Sequence, residues 1–137
     1  MKAFILLLLM AGHLMAVSVD DAAWLLDAQT DLNKAFKKAE TAQKKLLLIV
    51  VIKDGCSWCE MMVHETLSDK NVRNRLSDMV ILVTDIHSKT AENLNTQLTP
   101  SMYFIDVAAK KVVHEHIGFE KPGSFIMDIV TAEDKAE

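Results

Sequence analysis

The chain has 137 residues, of which 50% are hydrophobic and 25% charged, and its formal net charge at pH 7 is -4. A chain of this length and composition supports one globular domain with a buried core, rather than a disordered or repetitive protein. The acidic balance, with basic residues clustered no more densely than in pairs such as Lys37-Lys38, argues against a nucleic-acid-binding surface.

The N-terminus has the pattern of an export signal. Lys2 precedes the apolar run Ala3–Ala11, which has the length of a signal-peptide core. Ala16 and Ser18 are small residues at the spacing that cleavage requires, so we predict a signal peptide over residues 1–18, with cleavage after Ala16 as the alternative. The apolar stretch falls short of the ~20 residues that span a bilayer, although an uncleaved anchor stays open. Export would place the protein in the periplasm, where disulfides persist.

Residues 19–137 are expected to form a single domain. It opens with a short lead-in in which Trp24 serves as a packing anchor. Asp31 can cap a helix that runs to about Lys45, because the apolar residues after it recur at helical spacing. The seven apolar residues Leu46–Ile52 then predict a strand buried on both faces, typical of a central parallel strand.

The remaining elements alternate in the same way. They are a helix from about Trp58 to Leu67, a helical piece capped at Ser68-Asp69, a strand from Met79 to Val83 that ends near Asp85, a helix over Thr90–Leu98 with Leu98 inward, a hairpin of strands Met102–Ile105 and Lys111–Ile117, and a final helix beginning at Pro122. The order α-β-α-β-α-β-β-α predicts an α/β fold, with a central mixed sheet of about four strands and helices on both faces.

The two cysteines of the chain lie in the segment Cys56-Ser57-Trp58-Cys59, at the junction of the first strand and the next helix. A dithiol of this spacing can cycle to a disulfide, and the unpaired N–H groups at a helix N-terminus stabilise the reactive thiolate. Cys59 lies one helical turn deeper and can attack a mixed disulfide formed at Cys56. The spacing therefore predicts a redox pair with Cys56 as nucleophile and Cys59 as resolving thiol.

A second motif, Thr99-Pro100, opens the third predicted strand. With the Cys56–Cys59 segment after the first strand and this order of elements, the chain resembles the thioredoxin superfamily, and with its export signal it is similar to exported thioredoxin-related proteins of the SoxW type. The resemblance implies a thioredoxin fold in which Pro100 is a cis-proline beside the dithiol. It also implies that Thr99 faces the sulfurs and that Trp58 contacts substrate.

The same resemblance implies an enzyme, a protein thiol–disulfide oxidoreductase that acts on disulfide-bearing exported proteins. We expect a monomer, because the ~30 residues between the signal and the first strand leave little room for a separate dimerisation domain. Relatives of the SoxW type receive electrons from a membrane thiol-electron transporter, so we expect a reductase with such a donor, and an oxidase is the alternative. This chemistry needs no flavin, nicotinamide or metal. We therefore assign no cofactor and no metal-binding residue.

One position departs from the family pattern. Cytosolic thioredoxins carry a buried acid six positions before the first cysteine, where it helps to deprotonate the second one. In this chain that position is Val50, and the whole first strand lacks a carboxylate. The proton of Cys59 must therefore pass to water or to a group from elsewhere, such as Asp85 or Glu60.

The competing hypothesis is a binding protein of the same fold that holds zinc or copper through Cys56 and Cys59. His114 and His116 point to the same face of their strand and would complete a Cys2His2 set, and nearby methionines would suit copper. We prefer the redox hypothesis, because that strand should lie near the sheet edge, away from the dithiol. A metal site would retain its ion on purification, whereas a redox pair would turn over disulfides.

Overall fold

The computed structural model describes residues 17–136. The predicted signal peptide lies outside the described residues except for Val17 and Ser18. Within residues 17–136, no helix has the length and apolar character needed to cross a membrane.

The chain folds into four strands and a set of mostly short helices. The strands are β1 (Leu46–Ile52), β2 (Met79–Asp85), β3 (Ser101–Asp106) and β4 (Lys111–Ile117). The helices are α1 (Val19–Leu26), α2 (Leu32–Thr41), α3 (Ser57–Met61), α4 (Lys70–Leu76), α5 (Lys89–Asn93) and α6 (Pro122–Lys135), and a π-helix (Met62–Leu67) continues α3.

The strands form one mixed sheet in the order β2-β1-β3-β4. β1 is parallel to β2 and antiparallel to β3, and β3 pairs with β4 in an antiparallel hairpin. All seven residues of β1 are buried, as expected of a strand that is covered on both faces. This arrangement confirms the predicted thioredoxin fold with its mixed sheet of four strands.

Two apolar clusters cover the two faces of the sheet because successive side chains of a strand point to opposite faces. Leu48 and Val50 belong to the cluster that includes residues of α1, α3, the π-helix, α4 and α6. Leu47 and Ile49 belong to the cluster formed with α2 and α5. Cys59 lies in the first cluster, so the dithiol is anchored in the larger of the two cores.

The structure corrects several predicted boundaries. The lead-in is the helix α1, and Trp24 on it is 83% exposed, so this residue is not a packing anchor. α2 ends at Thr41 instead of continuing to Lys45, because Gln43 takes the left-handed conformation (φ 55°) and the Lys44 amide donates back to the Ala39 carbonyl. α5 ends at Asn93, and Leu98 is 64% exposed rather than inward.

The helix that follows the dithiol has the predicted extent but not the predicted type. Its second half, Met62–Leu67, is a π-helix, a wider turn that is rare and is frequently found at functional sites. The Ser68 hydroxyl donates to the Val63 carbonyl at 2.6 Å, and the Thr66 hydroxyl donates to the Glu120 carbonyl. The wider turn thus places Thr66 against the segment between β4 and α6.

Candidate functional site: a disulfide beside a cis-proline loop

Cys56 and Cys59 are joined in a disulfide at the N-terminal end of α3. Gly55 makes the turn out of β1 with φ 71°, a left-handed conformation that glycine adopts without strain. Cys56 is the N-cap residue of α3, and its sulfur accepts a hydrogen bond from the Cys59 amide at 3.1 Å. The sulfur therefore occupies the position of a capping oxygen, where helix N–H groups and the helix dipole favour negative charge.

The two sulfurs differ in their access to solvent. Cys59 is fully buried, within the core cluster that also contains Val50, Met62 and Met102. Cys56 is only partly buried and lies at the surface of the same cluster. A partner molecule can therefore reach Cys56 without any rearrangement, but it cannot reach Cys59.

The loop before β3 lies directly against Cys56. The Thr99–Pro100 peptide bond is cis, and the Thr99 hydroxyl and carbonyl oxygens lie 3.4 and 3.7 Å from the Cys56 sulfur. Two hydrogen bonds hold this loop in place: the Gly118 amide donates to the Pro100 carbonyl at 2.7 Å, and the Ser101 hydroxyl donates to the Leu98 carbonyl at 2.6 Å. The structure thus places Thr99 and Pro100, two of the five residues singled out from the sequence, beside the Cys56–Cys59 disulfide.

Trp58, the fifth of these residues, forms one wall of a shallow groove beside the disulfide. Its side chain is 56% exposed and packs against Phe119 with a ring-centroid separation of 5.6 Å. Trp58, Thr99, Gly118 and Phe119 line the groove. Sequence reasoning missed Phe119, because only the packing of the segment after β4 against α3 brings it next to Trp58.

The position of the missing family acid is occupied by apolar side chains. Val50 is fully buried in β1 and pairs with Met102 of β3. Of the two proton acceptors considered from the sequence, Asp85 accepts a hydrogen bond from the His87 amide at 2.8 Å, and Glu60 is partly buried on α3 next to Cys59.

A group of four titratable side chains lies between β4 and α6, and we call His114, His116, Glu120 and Asp128 the β4–α6 cluster. His114 Nε2 lies 2.6 Å from Asp128 Oδ1. His116 Nδ1 lies 3.2 Å from Glu120 Oε2 and 3.5 Å from Asp128 Oδ2. The two histidines therefore contact carboxylates instead of joining Cys56 and Cys59 in a Cys2His2 set.

The carboxyl groups of the β4–α6 cluster titrate in opposite directions. Burial raises the pKa of Glu120 to about 8, and the close approach and negative charge of the Asp128 carboxyl act in the same direction. Burial also opposes the charge of Asp128, but the contact with the Glu120 carboxyl, the hydrogen bond with His114 and the charges of His116 and His114 outweigh it and lower the pKa of Asp128. Glu120 is thus the member of the pair that retains a proton near neutral pH.

A mixed four-stranded sheet, a CxxC disulfide at a helix N-terminus and a cis-proline loop against the first sulfur define a protein of the thioredoxin class. The family model for the thioredoxin-like domain matches residues 32–127, and the chain belongs to this family.

Comparisons with individual proteins agree with this assignment. The chain is 25% identical over 97 residues to the thiol:disulfide interchange protein DsbD of Actinobacillus pleuropneumoniae serotype 5b (strain L20), and the match covers 66% of this chain and 17% of that protein. Thioredoxin from Thermus thermophilus has a TM-score of 0.65 at 16% identity, covering 75% of this chain and 84% of that one. The oxidoreductase DsbH has a TM-score of 0.64 at 17% identity, covering 78% and 85%. At these identities the two structures establish the fold.

Proposed function

We propose that this chain is an extracytoplasmic thiol–disulfide oxidoreductase that acts on other proteins, and that it works as a reductase. The observation that carries the proposal is the asymmetric disulfide: Cys56 is accessible at a helix N-terminus, and Cys59 is buried directly behind it. A structural cross-link would gain little from this position, because a disulfide that closes so short a loop removes little chain entropy.

The reaction follows from the positions of the two sulfurs. In the reduced protein the Cys56 thiolate attacks a disulfide sulfur of the partner, so that one partner sulfur leaves as a thiolate and a mixed disulfide forms. Cys59 then gives up its proton and attacks the Cys56 sulfur, which releases the second partner thiolate and forms the Cys56–Cys59 disulfide. The protein dithiol loses two electrons and the partner disulfide gains them.

The groove beside the disulfide is the proposed binding site of the partner. Trp58 and Phe119 offer an apolar wall, and Thr99 and Pro100 present polypeptide backbone next to Cys56. Leu98, next to Thr99 in the chain, adds further exposed apolar surface. An extended segment of a disulfide-bearing protein fits this combination, because its backbone can pair with the loop while its side chains cover the aromatic rings.

The catalytic cycle needs an external source of electrons. We assign this role to a membrane thiol-electron transporter and the role of substrate to exported proteins with disulfides, with the chain acting as a monomer of the SoxW type. Support comes from the predicted export signal and from the similarity to part of a thiol:disulfide interchange protein.

The structure bears on where an export signal would be cleaved. Val17 is 4% exposed within the larger core, and the Ser18 hydroxyl accepts a hydrogen bond from the Asp21 amide at 3.1 Å as the N-cap of α1. Cleavage after Ala16 keeps both residues, whereas cleavage after Ser18 removes both. We therefore favour a mature domain that begins at Val17, and N-terminal sequencing of the periplasmic protein would contradict this by finding Val19 first.

Covalent trapping tests the proposed roles of the two cysteines. Reduced Cys59→Ser protein, mixed with glutathione disulfide or with a peptide that contains a disulfide, should accumulate a mixed disulfide at Cys56, because the resolving thiol is gone. Cys56→Ser should form no such adduct and should reduce no substrate. Intact-protein mass spectrometry reads both outcomes. Adducts on Cys56→Ser but not on Cys59→Ser would reverse the roles, and adducts on neither would end the redox proposal.

The reduction potential tests the direction of electron flow. The wild-type protein is equilibrated against glutathione redox buffers, and the fraction oxidised is measured by alkylation. A potential well below about -200 mV supports a reductase that needs a dedicated donor. A potential near about -120 mV would instead define an oxidant that donates its disulfide.

A further inference from the structure

The β4–α6 cluster places an imidazole nitrogen and two carboxylate oxygens around one point. His116 Nδ1, Glu120 Oε2 and Asp128 Oδ2 all lie within 4.8 Å of one another. Among residues 17–136, these are the side chains that come together as a group of three potential metal ligands. The three residues come from different parts of the fold: the end of β4, the segment before α6, and the second turn of α6. The thioredoxin chemistry at Cys56 makes no use of them.

The distances match those of a small tetrahedral ion. Zinc binds histidine nitrogen and carboxylate oxygen at roughly 2.0–2.2 Å, so two ligand atoms of a tetrahedral site lie about 3.3–3.6 Å apart. The His116 nitrogen lies 3.2 Å from the Glu120 oxygen and 3.5 Å from the Asp128 oxygen. The His116 nitrogen is therefore already at the separation from each oxygen that the ion requires, and the two oxygens lie within 4.8 Å of each other.

The two carboxylate oxygens contact one imidazole nitrogen but accept no hydrogen bond. Glu120 Oε2 and Asp128 Oδ2 are shielded from solvent and lie 3.2 and 3.5 Å from His116 Nδ1, yet within residues 17–136 neither oxygen has a hydrogen-bond partner. Buried carboxylate oxygens in this state are costly unless a positive species compensates their charge. A protonated His116, a proton shared by the two carboxyl groups or a divalent cation can supply that compensation.

We propose that His116, Glu120 and Asp128 form a binding site for zinc, separate from the redox disulfide. Three protein ligands leave a fourth position for water, which is the pattern of an open zinc site. His114 completes the arrangement from behind, because its Nε2 contacts the second oxygen of Asp128 at 2.6 Å and so fixes the orientation of that ligand. Histidine with carboxylate ligands selects zinc over magnesium, which prefers an octahedron of oxygens.

A bound ion would act on the substrate groove through the segment between β4 and α6. Glu120 follows Phe119, which packs on Trp58, and the Glu120 carbonyl accepts the hydrogen bond of Thr66 from the π-helix. Zinc would therefore tie β4, α6 and the Phe119 segment together at one point. The expected role is to stabilise this wall of the groove rather than to take part in thiol exchange.

Calorimetric titration with zinc tests the site directly. The full chain is purified without a histidine tag and kept oxidised, so that the Cys56–Cys59 disulfide withholds both thiolates from the ion. We expect saturable binding of one zinc per chain, an increase in Tm on addition of zinc, and no comparable binding of magnesium. His116→Ala should weaken zinc binding at least tenfold, whereas His87→Ala, which removes an exposed histidine outside the cluster, should leave it unchanged.

Glu120→Gln keeps the test decisive if His116→Ala fails to fold. Glutamine has the shape of the protonated acid, so the metal-free fold should be kept, while the loss of a negative ligand should weaken zinc binding at least tenfold and abolish the zinc-dependent rise in Tm. No saturable binding by the oxidised wild type, or equal binding by Glu120→Gln, would overturn the zinc site and leave a carboxyl pair that shares a proton. Neither result would affect the trapping experiment on Cys56 and Cys59.

Discussion

Thr99 touches the reactive sulfur through its side chain, since its hydroxyl lies 3.4 Å from Cys56 Sγ. An O–H donor stabilises a thiolate more than a thiol, and a hydrogen bond to a charged group contributes about 1.5–3 kcal/mol. Thr99→Val removes the donor and keeps the shape. We expect the rate of Cys56 alkylation by iodoacetamide, followed against pH in the reduced protein, to reach half its maximum about one pH unit higher.

Thr99→Ser is the matched control for this substitution, because it keeps the hydroxyl and removes only a methyl group. Its alkylation profile should follow that of the wild type. If Thr99→Val also followed the wild type, the hydroxyl would have no influence on the thiolate, and the contribution of Thr99 would be limited to its backbone.

At the scale of single residues, what could be predicted from the sequence depends on how close the partners are in the chain. Cys56 and Cys59 lie within one helical turn, and their position after a buried strand indicates redox chemistry directly. His114 and His116 could be recognised from the sequence as a pair on one face of a strand. Phe119 and the carboxylate partners of the histidines carried no such signal, because the pairing of Trp58 with Phe119 and of His116 with Asp128 depends on how α6 and its preceding segment pack. Asp128 lies within an amphipathic helix, where a charged residue ordinarily indicates a solvated face.

Asp69 lies between the π-helix and α4 and caps the N-terminus of α4. Removing its side chain therefore tests what this cap contributes to stability. Its carboxylate oxygen accepts hydrogen bonds from the amides of Asn71 and Val72 at 2.9 and 3.1 Å, which starts α4 directly after the π-helix. Loss of an N-cap acceptor costs about 1 kcal/mol. Asp69→Ala should therefore lower the free energy of unfolding by about 1 kcal/mol in urea titrations, while Asp78→Ala, an exposed acid beyond α4, should change it by less than about 0.5 kcal/mol. Equal effects of the two substitutions would show that the cap contributes nothing specific.

The hydrophobic pattern predicts which helices and strands form, but it predicts their ends poorly. The apolar run of β1 and the cap at Asp69 each gave the correct element, because burial and local hydrogen bonding act on adjacent residues. The early end of α2 depends on Gln43 in a left-handed conformation, which a glutamine does not signal. The π-helix likewise has no distinct sequence pattern, since its wider turn appears only in the hydrogen bonds that hold it.

Across the whole molecule, apolar and titratable side chains occupy different parts of one face of the sheet. Val50, Met102 and His116 are cross-strand neighbours in β1, β3 and β4 and share the face that supports the dithiol. Apolar residues lie at the centre of the sheet, where cytosolic thioredoxins place an acid, and the titratable groups lie at the β4 edge. The carboxyl groups that respond to pH therefore lie where α6 packs on β4, so their titration should change the free energy of unfolding.

The stability of the metal-free protein should fall as pH rises through the range in which Glu120 titrates. Glu120 has a pKa of about 8 in the folded protein against an ordinary value of 4.5, so between these values the unfolded chain loses a proton that the folded protein keeps. The stabilisation is complete below about pH 4.5 and is lost by about pH 8. Asp128 acts in the opposite direction, but its lowered pKa affects stability only as pH falls below its ordinary range near 3.8.

Urea unfolding of oxidised protein with a chelator, between about pH 5 and about pH 8, should show a decline in stability in the wild type that Glu120→Gln flattens. The contacts of Asp128 with His114 and His116 are present in both of these proteins. Glu115→Gln, which changes an exposed acid on β4, should keep the wild-type slope; parallel slopes for all three proteins would mean that Glu120 titrates normally.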